Sequence, residues 1–234
     1  MKATTRHPSD CTKRCRPSEI QGKSTRKPRE LSRKTKILAI GDIHGDTGLV
    51  KKLAKKAKEE NVDLVILAGD LTLLEKSTKN LIGPFIKAKK EVLLIPGNHE
   101  TLATTNFLAE LYPGTTNIHG YAIKKDDIGI FGAGYDPVTG PFWVKDETIF
   151  ETLKKGHKAI KDSKKKIMVT HAHHHGSKAE FSGFPGSKAV TKAINKFNPD
   201  VLISAHIHEA GGVEEQIGKT KVIHVGRNPA IFEI

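Results

Sequence analysis

The sequence predicts a layered α/β protein, and three observations lead to this fold class. Short apolar runs recur from residue 37 onward, and lysine-rich stretches with apolar residues at helical spacing lie between them. The chain is 37% hydrophobic and 28% charged, which is typical of a soluble globular protein. No apolar stretch approaches the roughly 18 residues of a membrane span, and the first residues lack the apolar centre of a secretory signal. We therefore expect a cytoplasmic protein.

The first half of the domain is predicted to contain three strand–helix units. Each strand is a short, continuous apolar run, which suits a parallel strand that is buried on both faces. In the first helix, Leu49, Leu53 and Ala57 lie on one face and lysines on the other. The strands are KILAIGD, VDLVILAGD and EVLLIPGNHE, and the helices are expected over residues 47–62, 78–89 and 101–111.

The second half is predicted to be richer in β-structure. YAIKKDDIGIFGAG has the pattern of a hairpin, and the aromatic loop YDPVTGPFWV follows it. A lysine-rich helix is expected over residues 146–162, then the strand KIMVTHAH, the helix SKAVTKAINKF and the strand DVLISAHIHE. GGVEEQIGKTKVIHVG and AIFEI end the chain as β-rich pieces. We find no internal repeat and no second domain boundary, so one layered domain over residues 37–234 is expected.

Residues 1–36 differ in composition from the rest of the chain. They hold 12 of the 39 Lys and Arg residues and only 3 of the 26 Asp and Glu residues. With so few apolar side chains, they are predicted to be a disordered basic extension. It is interpreted as a solvated extension, a polyanion-binding arm or a targeting peptide, and a translation start near Leu31 is a further alternative. Cys11 and Cys15, the only cysteines, are expected to be ordinary thiols, which excludes a disulfide-framed fold.

Five of the predicted strands end in Asp, Asn or His. Because ligands of α/β sheets bind beyond the carboxyl ends of the strands, these residues are expected to converge. Each residue alone is weak evidence for a ligand site, since Asp often caps a helix and Asn-His often forms a turn. Together they predict a metal site. The strand ends carry Asp42 and His44, then Asp70, then Asn98, His99 and Glu100, then His171, and finally His206 and His208.

The donor types narrow the choice of metal. Imidazole and carboxylate ligands without thiolates suit Mn, Fe, Zn, Ni or Co. Two ions about 3.5–4 Å apart need a bridging carboxylate, and Asp70 is the natural bridge. If the chain after the first strand is extended, Asp42 and His44 point the same way and share one ion.

In order, Asp-x-His, Gly-Asp, Gly-Asn-His-Glu, a His after a strand and His-x-His resemble the signature of the calcineurin-like metallophosphoesterases. The resemblance spans about residues 37–228, and GSKAVTKAINKFNPDVLISAHIHEA is similar to the small Icc-related phosphoesterases. It implies a four-layer αββα sandwich with a dimetal site at the carboxyl ends of the central strands. It also implies that His99 faces the scissile phosphate. The implied ligands are Asp42, His44, Asp70 and His208 for the first ion, and Asp70, Asn98, His171 and His206 for the second.

The sequence departs from the family pattern at two places. Ala205 stands where Gly usually precedes His-x-His, and we expect only a small change of geometry. Arg227-Asn228-Pro229-Ala230 replaces the usual Asn-Pro-Gly segment. Arg227 is therefore interpreted either as a phosphate contact or as a salt-bridged surface residue.

The expected reaction is hydrolysis of a phosphate ester by a metal-bridging hydroxide, with His99 protonating the leaving oxygen. A phosphodiester is favoured, a nucleotide-type ester is one candidate, and Mn is the favoured metal. Two alternatives stay open: a non-catalytic scaffold on the same fold, and a nucleic-acid-binding protein that acts through its basic tail. The sequence gives no indication of the oligomeric state. A P-loop is excluded because GFPGSKAV lacks the required spacing.

Four of the 12 histidines lie within THAHHHG, residues 170–176. His171 takes the position of a ligand, and His173 is a candidate for contact with the substrate phosphate. His174 and His175 are expected to face solvent. The aromatic loop, which contains Tyr135, Phe142 and Trp143, is expected either to stack on a base or to pack against the domain.

Overall fold

The alternating strands and helices build two mixed β-sheets that pack face to face, with helices on their outer faces. The computed structural model describes residues 34–234. The predictions for the disordered extension, for its nucleic-acid contacts and for the thiols of Cys11 and Cys15 lie outside the described residues. No helix within residues 34–234 combines the length and the apolar character needed to cross a bilayer.

Eleven strands and five α-helices make up the described part of the chain. The strands are β1 (Lys36–Ile40), β2 (Leu64–Ala68), β3 (Glu91–Ile95), β4 (Thr115–Asn117), β5 (Ala122–Lys125), β6 (Ile128–Ala133), β7 (Lys165–Thr170), β8 (Val201–Ser204), β9 (Glu214–Ile217), β10 (Thr220–His224) and β11 (Ala230–Glu233). The helices are α1 (Thr47–Glu59), α2 (Gly83–Lys87), α3 (Leu102–Leu111), α4 (Asp146–Lys158) and α5 (Lys188–Phe197). Short 3-10 turns lie at Lys178–Ser182 and His208–Ala210.

The first sheet has the order β11-β1-β2-β3-β4, and the second has the order β5-β6-β7-β8-β10-β9. The central strands of both sheets run parallel, while β11, β5 and β9 pair antiparallel at or near the edges. The carboxyl ends of β1, β2 and β3 therefore lie at one edge of the first sheet, and those of β6, β7, β8 and β10 at one edge of the second.

Alternate residues of each buried strand enter different layers, as the pleat of a strand requires. Ile37, Ala39 and Ile66 of the first sheet pack against the second sheet, where they meet Ile130 and Val169. The opposite face of the first sheet packs under α1, α2 and α3, and the outer face of the second packs under α4 and α5. The predicted αββα layering is thus confirmed.

Three predicted helices are shorter than expected, and the one predicted over residues 47–62 ends at Glu59. The helix predicted over residues 78–89 is reduced to α2, because Pro84 lies in its first turn, where it favours a helix start. The helix predicted over residues 146–162 ends at Lys158. The predicted hairpin is confirmed, since β5 and β6 pair antiparallel. β4 was not predicted, because its sequence TTN has no apolar pattern.

Candidate metal centre

The polar residues predicted at the strand ends meet where the carboxyl edges of the two sheets come together. Asp42, His44, Asp70, Asn98 and His99 extend from the first sheet, and His171, His206 and His208 from the second. Contacts join the two sets directly. Nε2 of His171 lies 2.8 Å from Oδ1 of Asn98, and Nε2 of His208 lies 3.0 Å from Nε2 of His44.

One group consists of Asp42, His44 and His208, whose ligand atoms all lie within 4.8 Å of one another. Nε2 of His208 is 4.0 Å from Oδ1 of Asp42. Nε2 of His44 is also 3.6 Å from Oδ2 of Asp70. This group corresponds to the first of the two predicted ligand sets.

A second group consists of Asp70, His171 and His206. Oδ2 of Asp70 lies 3.5 Å from Nε2 of His171, and Nδ1 of His206 lies 3.3 Å from that same nitrogen. Asn98 reaches the group through its contact with His171. Oδ2 of Asp70 thus faces a histidine of each group, which is the position that a bridging carboxylate requires.

Four of these residues have left-handed backbone conformations: Asp42 (φ 51°), His44 (φ 49°), Asp70 (φ 52°) and His206 (φ 74°). Such angles are uncommon for residues with a side chain and cluster at functional sites. The prediction that the chain from Asp42 to His44 is extended is therefore wrong. The two side chains are brought together by a tight turn after β1.

Two glycines let the loops approach one another. Gly69 has φ 93°, and a Cβ built on it would lie 2.5 Å from Nδ1 of His171. A Cβ on Gly97 would overlap the backbone and carboxylate of Asp70. Gly69 and Gly97 are therefore required by close packing around the central carboxylate.

Ala205 packs its methyl group against Gly41, at the point where the chain leaves β1. A Cβ on Gly41 would overlap the Cβ of Ala205. The methyl group that distinguishes this chain from the family pattern is therefore accommodated by a glycine opposite it. His206 and His208, which follow Ala205, still reach their groups.

Several side-chain oxygen and nitrogen atoms that could bind a metal are buried without a hydrogen-bond partner. Within the described residues, both carboxylate oxygens of Asp42 and Nδ1 of His44 and of His99 lack a hydrogen bond. Burial raises the pKa of Asp42 to about 7 and lowers that of His44 to about 4. Buried polar atoms without partners are costly, and bound cations would satisfy them. The oxygen and imidazole donors fit divalent transition metals.

Asp70 and His171 stabilise each other's charge. Burial alone would raise the pKa of Asp70, but His171, His44 and His99 hold it well below its usual range. Burial would also lower the pKa of His171, but the carboxylates of Asp70 and Asp42 and the carbonyl of Ala68 raise it to about 10. The centre therefore has a carboxylate that stays ionised and favours positive charge beside it.

His206 is oriented by two residues that the sequence did not single out. Its Nε2 lies 2.9 Å from Oγ1 of Thr139 and 3.7 Å from Oδ2 of Asp136. Oγ1 of Thr139 donates to Oδ1 of Asp136 at 3.3 Å, so it accepts from Nε2–H of His206. This tautomer leaves Nδ1 of His206 free to face the second group. No local pattern marks Thr139, which is 67 residues from His206 in the chain.

Glu100 connects the loops that carry Asp70 and Asn98. It is fully buried and accepts hydrogen bonds from the backbone N–H groups of Gly97 at 2.7 Å, Thr72 at 3.1 Å and Leu71 at 3.2 Å. Asp70 and Glu100 both orient backbone groups around the centre, since Oδ1 of Asp70 also accepts from the N–H of His99 at 3.0 Å.

His99 lies at the opening of the centre. Its Nε2 is 3.9 Å from Oδ2 of Asp70, and its ring lies edge-on to that of His44. It lines a cleft of about 350 Å³ together with Thr139, Gly140, Phe184 and His208, among others. Phe184 is half exposed, and its ring centroid lies 6.5 Å from that of His206. The aromatic ring of the cleft therefore comes from Phe184 and not from the predicted aromatic loop.

The aromatic loop reaches the centre through other residues. Gly140 packs on the side chain of Asn98, and the N–H of Phe142 donates to the carbonyl of Asn98 at 3.3 Å. Trp143 is exposed, and Tyr135 packs edge-on against His119.

Arg227 and the three histidines after Ala172 were also singled out by the sequence, and some of them are buried while others are exposed. Arg227 forms an ion pair with Asp46 at 2.6 Å, and Asp46 caps α1 by accepting from the N–H of Leu49. His173 is buried, and neither ring nitrogen has a hydrogen bond to the described residues. His175 is exposed, as expected, but the prediction for His174 is wrong. His174 is buried because the β9–β10 hairpin packs beside it.

Comparison with known proteins identifies the family of the chain. The model of the calcineurin-like phosphoesterase family matches residues 35–210, and the chain belongs to that family. The family uses a dimetal site, and the described residues include His and Asp clusters able to bind metal. Family membership supports a phosphoester hydrolase. No curated protein matches the sequence.

Three solved structures illustrate the likeness of fold. TT1561 of Thermus thermophilus is 19% identical, with a TM-score of 0.69 over 86% of this chain and 99% of that chain. A dimetal phosphatase from Danio rerio is 11% identical, with a TM-score of 0.57 over 82% and 88%. A novel archaeal phosphodiesterase is 16% identical, with a TM-score of 0.51 over 86% and 100%. At these identities the likeness shows the fold alone.

Proposed function

We propose that the chain hydrolyses a phosphodiester at a centre of two divalent ions, with Mn²⁺ as the favoured metal. Asp42, His44, Asp70 and His208 would hold one ion, and Asp70, Asn98, His171 and His206 the other. The observation that carries the proposal is the convergence of both groups on Oδ2 of Asp70. When bound, the ions would supply Lewis-acid activation of water and neutralise the phosphoryl oxygens.

The residues around the ions have separate roles. Asp70 holds the loop of His99 in place, because the backbone N–H of His99 donates to Oδ1 of Asp70 at 3.0 Å. His99 faces the cleft, and its imidazole would deliver a proton to the oxygen of the leaving group. Phe184 stands half exposed beside the cleft and offers an apolar wall for the alcohol part of the ester. A cleft of about 350 Å³ has room for a small ester.

The diester preference is supported by the apolar wall that Phe184 offers beside the cleft and by the archaeal phosphodiesterase of the same fold. A direct test compares hydrolysis of bis-p-nitrophenyl phosphate and p-nitrophenyl phosphate by the full chain with Mn²⁺ added. We expect the diester to be hydrolysed faster, and Asp70→Asn to lower the rate at least 100-fold. His175→Leu, a change at an exposed histidine, is the control. A wild-type rate in Asp70→Asn would overturn the proposal.

The role of His99 is tested by the dependence on the leaving group. His99→Gln should retain its metal content, because His99 belongs to neither ligand set. It should lose about 10²–10⁴-fold in kcat on thymidylyl-thymidine, whose leaving alkoxide needs a proton. The loss should be much smaller on the p-nitrophenyl ester of thymidine 5′-phosphate, whose leaving group is a weak base. Equal losses on the two esters would contradict proton donation by His99.

A non-catalytic scaffold on the same fold is the competing function. It is disfavoured because all the proposed ligand positions and His99 are occupied by residues of the required types. A scaffold without bound metal would contain no transition metal in natively purified protein and would show no turnover after Mn²⁺ loading. Two equivalents of metal per chain together with turnover would exclude it.

A further inference from the structure

A second cluster of ligand-type side chains lies one strand further along the second sheet. His174, Glu215 and His224 place their nearest donor atoms within 4.8 Å of one another. His224 ends β10, whose last residue is in register with Ser204 at the end of β8. The cluster shares no residue with the metal centre described above. It also joins two segments that are distant in sequence, the loop after β7 and the β9–β10 hairpin.

His224 is fixed by hydrogen bonds at both ring nitrogens. Its Nδ1 lies 2.8 Å from Oγ of Ser204, and its Nε2 lies 2.8 Å from Oε1 of Glu215. Ser204 is fully buried, and His224 is 1% exposed. A serine, histidine and glutamate in this order resemble a nucleophilic triad, but no substrate can reach a buried Ser204. With Nδ1 donating to Ser204, Nε2 of His224 shares a proton with the carboxylate of Glu215, and a cation bound to both groups would take the place of that proton.

Glu215 is held in place from its other side. Both of its carboxylate oxygens accept from the N–H of Lys178, at 3.2 Å and 3.1 Å. Hydrogen bonds of this kind commonly orient carboxylate ligands of metals. The side chain is only 11% exposed, so its charge is largely removed from water.

His174 is buried and makes no hydrogen bond through its ring to the described residues. It is 3% exposed, its Nδ1 has no partner, and its Nε2 lies 3.9 Å from Oε1 of Glu215, beyond hydrogen-bond distance. Nε2 faces Glu215 without a hydrogen bond, so it is available to a cation that binds between the two side chains.

We propose that His174, Glu215 and His224 bind a zinc ion, as a third metal site beyond the two-ion centre. Two imidazoles and a carboxylate form a set that zinc binds tetrahedrally. With bonds of about 2.0–2.1 Å, tetrahedral ligand atoms lie about 3.3 Å apart. The separations of 2.8 Å and 3.9 Å from Oε1 of Glu215 bracket this value. Oγ of Ser177, 3.3 Å from Nε2 of His224, or a water molecule completes the set.

The ion would have a structural role with a consequence for the cleft. It would join the β9–β10 hairpin to the segment of residues 171–187, which carries Phe184 into the cleft. His173 lies in the same segment, and its ring centroid is 6.4 Å from that of His224. Zinc at the cluster would therefore stabilise the wall of the cleft without touching the substrate.

The test counts zinc in the full chain. Metal-stripped wild-type protein and the variants His174→Leu and His175→Leu are saturated with Zn²⁺, desalted and analysed for metal per chain. His174→Leu removes a ligand without breaking a side-chain hydrogen bond, and His175→Leu is the matched change at the exposed neighbour. We expect His174→Leu to contain one equivalent less than wild type, and His175→Leu to equal wild type. Cys11 and Cys15 are common to all three proteins, so any zinc that they bind cancels in the difference.

A second measurement does not depend on counting. Thermal unfolding of metal-stripped protein is followed with and without Zn²⁺ in the Asp70→Asn background, where the two-ion centre is impaired. Zn²⁺ should still raise Tm in that background, and this rise should disappear when His174→Leu or Glu215→Gln is added. Equal zinc content in wild type and His174→Leu, or an unchanged rise of Tm in the double variants, would overturn the third site. Failure of the two-ion centre would instead lower the zinc content of all the proteins equally.

Discussion

Nδ1 of His171 donates to the carbonyl oxygen of Ala68 at 2.9 Å. Ala68 is the last residue of β2 in the first sheet, and His171 directly follows β7 in the second, so this bond joins the two sheets at the metal centre. Because a carbonyl can only accept, Nδ1 of His171 carries a proton, and Nε2 is the nitrogen that faces Asp70 and Asn98. One bond thus joins the two sheets and orients Nε2 of His171, the atom that would bind an ion in the proposed centre.

Substitutions of His171 can separate its bond to Ala68, made by Nδ1, from its proposed metal binding, made by Nε2. The amide nitrogen of Asn in His171→Asn can take the place of Nδ1 and still donate to Ala68, but Asn offers nothing at the position of Nε2. Both variants lose the charge pairing with Asp70 and the Nε2 atom, so we expect both metal-stripped proteins to be less stable than wild type and to lose Mn²⁺ affinity. His171→Leu should be less stable than His171→Asn by about 1–3 kcal/mol, because it also leaves the Ala68 carbonyl unpaired. Urea unfolding and Mn²⁺ titration measure the two effects, and equal stability of the two variants would contradict the role of the bond.

Gly69 tests how tightly the loops pack around Asp70. Gly69 and Gly183 both have left-handed backbones, at φ 93° and φ 87°, but only Gly69 has a histidine ring where a Cβ would go. Gly183→Ala should cost about 1 kcal/mol, from backbone strain alone. Gly69→Ala should cost about 1–3 kcal/mol more and weaken Mn²⁺ binding, since His171 cannot move without breaking its bond to Ala68. Similar losses of stability in the two variants would show that the crowding is relieved elsewhere.

Thr139 tests the orientation of His206. Thr139→Val keeps the shape of the side chain and removes the hydroxyl that accepts from Nε2–H of His206. We expect Mn²⁺ affinity to fall about 10–100-fold, the usual effect of losing a group that orients a ligand. Isothermal titration of the metal-stripped protein measures this. Thr148→Val, the same change at an exposed position of α4, should bind as wild type does. Unchanged affinity in Thr139→Val would mean that Asp136 alone orients the ring.

His119 should make the domain less stable in mild acid. Its Nδ1 accepts from the N–H of Gly134 at 2.9 Å, and burial, followed by the charge of Lys155, lowers its pKa from 6.5 to about 4. Between these pH values the unfolded chain binds a proton that the folded protein does not. Stability from this residue is therefore complete above pH 6.5 and is lost as the pH falls towards 4.

The free energy of unfolding contributed by His119 should fall by about 2 kcal/mol between pH 7 and pH 5. The fall is about 1.36 kcal/mol per pH unit below the pKa of the unfolded chain. His119→Gln keeps an acceptor for Gly134 but cannot be protonated, so its stability should fall less over this interval. Urea unfolding at the two pH values measures the slope. A slope in His119→Gln equal to that of wild type would assign the acid sensitivity to other groups.

Most of the fold could be predicted because it is encoded locally. Continuous apolar runs marked the parallel strands, and the polar residue after each strand marked the edge where the metal centre lies. β4 was missed because three polar residues carry no periodicity. The burial of His174 was missed because it arises from the β9–β10 hairpin, about 40–50 residues later in the chain.

The centre could be predicted only as a set of residue types. Asp42 and His44 were correctly expected to meet, but for the wrong reason, because the left-handed turn that joins them leaves no mark on the apolar pattern. Thr139 and Asp136 lie in a loop with no periodicity, and their contact with His206 exists only in the folded chain. Phe184 likewise reaches the cleft from outside the predicted aromatic loop.

The packing of Ala205 on Gly41 makes these two positions depend on each other. The segment at Gly41 and the segment at Ala205 cross with room for one methyl group between them. In this chain the methyl group belongs to Ala205, which precedes His206. Gly41→Ala alone would force the segments apart, whereas Gly41→Ala combined with Ala205→Gly would move the methyl group across the same gap. The two sites should therefore show strong non-additivity in a double-mutant cycle. Among related sequences, an alanine at one position should be accompanied by glycine at the other.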